Sequence, residues 1–289
     1  MKTKENLLIF VILTLSINSC TKEGNESNVN IIYLHHSTGG VIWRGGNDSF
    51  AAKVVRRLSN KMADVIDTKS ALPQMLKKYN KDNDMNYSIT ELDFPKEKPY
   101  GWSNYPYDYY YIWVKNGGEK PFMEEPTLEI LTKDYQVIIF KHCFPVSNIK
   151  PDPDTANINS EMKTISNYKL QYLALRNKFH EFPETKFILF TGAAQVKANV
   201  REEDAVRAKE FFSWVTNEWD LPDDNIYLWD LYSLQTEGGI YFKDDYAVSS
   251  TNSHPNKLFA DNAVKLLFNR IIDLVETNGS GTTITGEKI

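Results

Sequence analysis

The 289-residue chain predicts an α/β domain with three layers, a mostly parallel central sheet covered by helices on both faces. Two observations lead there. Short apolar runs rich in Ile, Phe, Leu and Tyr recur from residue 30 onward, and stretches with helical spacing separate them. No repeat and no change of composition divides residues 30–277, so they are expected to form one domain.

Taken in order, Asn30-Ile31-Ile32-Tyr33-Leu34-His35 is the first buried strand expected. Asp48-Ser49-Phe50 can cap a helix reaching Met62, with Phe50, Val54, Val55 and Leu58 at helical spacing. A second helix is expected over 70–78, and Tyr87–Phe94 alternates as a strand. Pro95 to Pro126 reads as a long loop carrying Tyr100-Gly101-Trp102-Ser103-Asn104-Tyr105-Pro106-Tyr107. A loop of that length is a functional candidate, its aromatics serving either a sugar face or a satellite core. Further strands are expected at 135–140, 186–190 and 225–229, and helices at 159–180, 202–219 and 255–276. Pro255 suits the first turn of the last helix. Arg201-Glu202-Glu203-Asp204 reads as a solvated helix start with acids at its positive end. Residues 278–289 are polar and rich in Gly and Thr, which predicts a disordered tail.

A hydrophobic fraction of 42% with 25% charged residues is ordinary for a globular domain. The net charge of −5 and the lack of a long basic block argue against a nucleic-acid partner. Lys2 and Lys4 precede an apolar run, Leu7 to Ile17, too short to span a bilayer, and Ile17-Asn18-Ser19-Cys20 follows. The stretch 1–20 resembles a bacterial lipoprotein signal, which implies lipidation of Cys20; a plain secretory signal with a chance cysteine is the alternative. Residues 21–29 would be a polar tether. The resemblance implies a cell-envelope protein held on a membrane by its lipid, in the outer membrane by preference. Cleavage would leave 31 basic and 37 acidic residues, a net charge of −6. Cys143 would then be the only free thiol, with no intrachain disulfide possible; it is either a nucleophile or a packed core cysteine.

The expected strands all end at one edge, where open α/β sheets place their chemistry. Of the five histidines, His35, His36, His142 and His254 fall at or near that edge, and His180 lies at a helix end. Ser37 follows the first strand, and His254 precedes the last helix. A hydroxyl nucleophile needs an imidazole to take its proton, so Ser37 and His254 are the candidate nucleophile and general base. The bland alternatives are a turn or cap hydroxyl and a cap before a proline. Because side chains alternate along a strand, one of His35 and His36 faces the site; His36 is expected to contact substrate and His35 to pack beneath. Trp43 and Arg44 either bind a sugar or anionic group or serve ordinary surface roles.

With those residues in view, the chain resembles the SGNH (GDSL-type) hydrolases over most of residues 30–275. Ile31-Ile32-Tyr33-Leu34-His35-His36-Ser37 matches the position of the family's Gly-Asp-Ser block, with two histidines in place of Gly-Asp. His254-Pro255-Asn256 looks like its His-Pro-Asn ending. The resemblance implies a flavodoxin-like fold and ester hydrolysis without a cofactor or metal. The envelope address and the aromatic loop point to an acylated carbohydrate, an acetyl ester by preference. Departures are plain. Thr251 stands where the family has its Asp, leaving Thr251, Asn252 or Asp230 as candidate partners of the imidazole. The family's third block corresponds to Lys141-His142-Cys143-Phe144, which has no asparagine. Candidate oxyanion or substrate-binding residues are therefore His36, Gly39, Gly101, Asn148 and His142, with the Ser37 N–H at a turn loosened by Gly39 and Gly40. Two further readings stay open: a glycan-binding descendant without catalysis, and a metal site built from His35, His36, His142 and His254.

Overall fold

The structure, a computed structural model, describes residues 28–46 and 70–289. The expected signal segment with Cys20, most of the tether and the helix expected at 48–62 lie outside the described residues.

β1 (Val29–His35) begins one residue inside the stretch assigned to the tether, and Ile31 to Leu34 are all buried. Such an unbroken apolar run suits a strand covered on both faces. β2 (Tyr87–Asp93), β3 (Val137–Phe140), β4 (Lys186–Phe190) and β5 (Ile226–Trp229) complete one sheet in the order β2-β1-β3-β4-β5, with every neighbouring pair parallel. Parallel neighbours require crossovers, and the helices supply them. These are α1 (Ser37–Arg44), α2 (Ala71–Asn83), α3 (Pro106–Tyr109), α4 (Leu128–Asp134), α5 (Ile165–Phe179), α6 (Glu202–Trp214), α7 (Leu231–Thr236) and α8 (Lys257–Thr277). α1, α2 and α8 pack together, α3 packs with α5, and α6 packs against the short turn Phe144–Ser147. The three-layer α/β architecture expected from the sequence is the one observed. Among the described residues no helix is long and apolar enough to cross a membrane.

The chain leaves β1 for one edge of the sheet and later builds the other edge from β3. The connections after β1 and β3 therefore diverge, opening a crevice at their C-terminal ends. Leu34, Phe140, Leu189 and Leu228 lie in one register across the sheet, so the residues after them share that edge.

Several expectations need correction. The stretch 95–126 is not a structureless loop, because α3 runs on into a π-type turn at Tyr110–Lys115. Tyr105, Tyr109 and Trp113 recur at one helical turn and are buried, Tyr109 and Trp113 against Phe140. The aromatic run is chiefly core, with Tyr100 exposed at its start. Trp43 is also fully buried, stacked on Tyr33. Asp204 is buried rather than solvated, since Arg201, Arg207 and Lys150 surround its carboxylate. Asn256, not Pro255, caps α8, accepting from the Phe259 N–H at 3.0 Å. Pro255 instead ends β7 (Asn252–Pro255), which pairs with β6 (Ala247–Ser249) in a hairpin the sequence did not reveal.

The tail expected to be disordered is ordered. The Asp230 N–H donates to the Ile284 carbonyl at 2.8 Å, and Trp229 Nε1 donates to Thr285 at 2.9 Å. Its polar residues complete a buried ion pair. Thr282 Oγ1 lies 2.5 Å from Asp273 Oδ2 and 3.2 Å from Arg270 Nη1, and the Gly281 N–H donates to Asp273 Oδ1 at 2.9 Å. Composition alone missed this because polar residues there serve buried charges, not water. Thr282→Val is expected to cost about 1–2 kcal/mol, read as a lower thermal midpoint.

Candidate active site

Ser37 is the first residue of α1, with His36 at its cap position in extended conformation. The serine is exposed, and its hydroxyl has no hydrogen-bond partner among the described residues. The N–H groups of Ser37 and Thr38 likewise have no acceptor among the described residues, as the first turn of a helix dictates. Such N–H groups and the helix dipole favour negative charge beside Ser37.

Two glycines in the first turn of α1 let it pack closely against the end of β1. A Cβ on Gly39 would lie 2.5 Å from the Cβ of His35 and 2.9 Å from Lys141 Cδ. The glycines are therefore there for close packing, not to loosen a turn. The Gly39 N–H is spent on the His36 carbonyl at 2.8 Å, so Gly39 is not an oxyanion donor.

His254 lies at the end of the β6–β7 hairpin, and α1 packs against β7. Val41, one turn beyond Ser37 on the same face of α1, lines a hollow with Pro255, the residue after His254. The serine and histidine thus sit on adjoining elements, although no hydrogen bond joins their side chains. In sites without substrate that contact is commonly long and closes on binding.

The imidazole is held by Asn252. Its Oδ1 accepts from the His254 backbone N–H at 3.1 Å and lies 2.8 Å from His254 Nδ1. A backbone N–H is always a donor, so the shared amide atom is the oxygen. Nδ1 must then carry a proton, which in a neutral ring puts the lone pair on Nε2. That is the tautomer a general base needs. Of the three candidate partners, Asn252 alone meets the imidazole. Thr251 Oγ1 lies 3.3 Å from Ser249 Oγ within the hairpin turn, and Asp230 is buried as the cap of α7, bound to Thr191 Oγ1 at 2.6 Å.

Further residues brace His254. Phe144 meets its ring edge-to-face at 5.3 Å between centroids. Ser253 Oγ accepts from the Val196 N–H at 3.1 Å and from Asn199 Nδ2 at 2.9 Å. Gln195 Nε2 donates to the Phe144 carbonyl at 3.3 Å and to Asn148 Oδ1 at 3.0 Å. Asn148 thus anchors the Phe144 segment through Gln195. Phe144, Gln195 and Asn199 were not singled out as functional in the sequence, because only the fold brings the loops after β3 and β4 beside β7.

The remaining candidates are elsewhere. His36 Nε2 is bound to the Pro95 carbonyl at 2.5 Å, away from substrate duty. His35 packs beneath as expected, with Nε2 2.8 Å from Glu91. His142 is fully buried between Tyr109 and Tyr172 and cannot touch substrate. Gly101 lies in an exposed turn with its N–H on the Glu97 carbonyl at 2.5 Å. The four histidines do not converge, and among the described residues no cluster of His, Cys, Asp or Glu could hold a metal ion. A cavity of about 770 Å³ lies at the opposite edge of the sheet, between His180, Asp220, Asp224 and Arg270, and is not this site.

No protein-family model matches the chain, and no curated protein matches it significantly. A solved structure similar to it is that of a carbohydrate esterase whose active site has divergent catalytic and non-catalytic binding functions. It is 11% identical, with a TM-score of 0.37 over 85% of this chain. The alignment spans 65% of that chain's length.

Proposed function

We propose that this chain is a serine hydrolase of the SGNH kind that cleaves ester bonds, with Ser37 as nucleophile and His254 as general base. The observation that carries the reading is the Asn252 contact, which leaves Nε2 as the proton acceptor on the element packed against the Ser37 helix. In the reaction Ser37 Oγ bonds to the ester carbonyl carbon as its proton passes to Nε2, and the carbonyl electron pair moves to oxygen. Collapse of that intermediate expels the alcohol, which takes the proton from the imidazolium; water then repeats the cycle on the acyl-enzyme. The Ser37 and Thr38 N–H groups are the candidate donors to the oxyanion.

An acylated carbohydrate at the cell envelope, reached from a lipid anchor on Cys20, remains the substrate and setting we favour. The resemblance of residues 1–20 to a lipoprotein signal supports the address. The aromatic run no longer supports a sugar platform, since most of it is core. Incubation with a fluorophosphonate probe and with p-nitrophenyl acetate tests the chemistry. Labelling of Ser37 with ester turnover is expected. Neither one, in folded protein, would favour the glycan-binding alternative.

A further inference from the structure

Lys141 follows β3 directly and is wholly buried. Its stem runs beneath the first turn of α1, where a Cβ on Gly39 would come within 2.9 Å of Lys141 Cδ. Its Nζ lies 3.4 Å from Cys143 Sγ. Among the described residues no carboxylate pairs with it, and the thiol is its only side-chain partner. Burial pushes the imidazoles of His35 and His142 toward the neutral form, and the Lys141 charge pushes both the same way, opposed at His35 by Asp93. An ammonium buried without a counter-ion costs several kcal/mol. This one lies between the Ser37 turn and the Cys143–Phe144 segment that braces His254. Where the hydrolases this chain resembles have an asparagine donor, it has Cys143, a weak donor, with the cation behind it.

We propose that Lys141 is the electrostatic element of the oxyanion site, a buried cation whose field stabilises the negative charge that develops on the substrate carbonyl oxygen. The inference rests on the hydrolase reading. Lys141 is a positioning residue, because it acts through space and through the first turn of α1 and does not touch substrate. A fixed charge in a water-poor site favours the oxyanion over the neutral ester, so it acts on kcat and leaves ground-state binding nearly unchanged.

The test compares wild type with Lys141→Met and Lys141→Arg, reading kcat and KM on p-nitrophenyl acetate, affinity for phenylboronic acid, and thermal midpoint. The boronate adduct on Ser37 is a tetrahedral anion and reports the same charge without turnover. Lys141→Met is expected to be at least as stable as wild type, because an apolar side chain replaces an unpaired charge. Its KM should stay within about threefold while kcat and boronate affinity each fall about 100-fold. Lys141→Arg should recover part of both. A folded Lys141→Met protein with kcat and boronate affinity within about twofold of wild type would overturn the proposal. If Lys141→Met does not fold, Lys141→Gln against Lys141→Arg decides by the same ratios, equality being the overturning result. A wild type that neither turns over esters nor labels at Ser37 refutes the hydrolase reading itself, and this inference with it.

Discussion

Ser37→Ala is expected to lower kcat on a small acetyl ester by about 10⁴-fold or more while the thermal midpoint stays within about 2 °C of wild type. The hydroxyl is exposed and bonded to nothing among the described residues, so its loss removes no stabilising contact. Asn252→Leu should act on the same step by another route. With the Asn252 acceptor removed from Nδ1, the hold on the tautomer that presents a lone pair at Nε2 is weakened, and kcat should fall about 100-fold or more. Asn252→Asp keeps the acceptor and adds charge beside the imidazolium, so it should retain most activity. The three variants together separate nucleophile from orienting group. Activity that survives Ser37→Ala would end the reading outright, whereas equal activity in Asn252→Leu and wild type would leave the nucleophile and remove only the orienting role.

The parts of this site that were legible in the sequence are those written by local chemistry. An apolar run ending in Ser37 and a histidine before the last helix place their own edge of an α/β sheet, and the five strands appear close to where periodicity put them. Asn252 was one of three candidates and could not be chosen, because the choice depends on the hairpin made by β6 and β7. Three-residue and four-residue strands carry too little periodicity to be seen. The helical turns within the aromatic run at 105–113, read as loop, were missed for a different reason. Tyrosine is amphipathic, and its spacing of one helical turn was hidden among prolines and neighbouring tyrosines. Lys141 carried a visible signal, a charge set directly after an apolar strand, but sequence alone does not distinguish a buried cation from one that reaches solvent.

The surroundings of that cation lead to the remaining prediction. Among the described residues both ring nitrogens of His142 are buried without partners, and burial, with the Lys141 charge in support, pushes its pKa down to about 3. In the unfolded chain it would take a proton below about pH 6.5. The unfolded state therefore binds more protons between those values, and the stability present above pH 6.5 is lost as the pH falls toward 3. At pH 5 this one residue should cost about 2 kcal/mol. His142→Phe keeps the edge-to-face packing on Tyr109, whose ring centroid lies 4.7 Å away, and removes both unpaired nitrogens. It should raise stability at pH 7 by about 1–3 kcal/mol. It should also flatten the fall in thermal midpoint between pH 7 and pH 5, leaving the share due to His35, which burial displaces in the same direction. Thermal unfolding of both proteins across that window decides it, and parallel curves would mean that His142 takes up no proton on unfolding. The result bears on Lys141 as well. A protonated His142 would set a positive charge next to Lys141, whose own charge opposes that protonation.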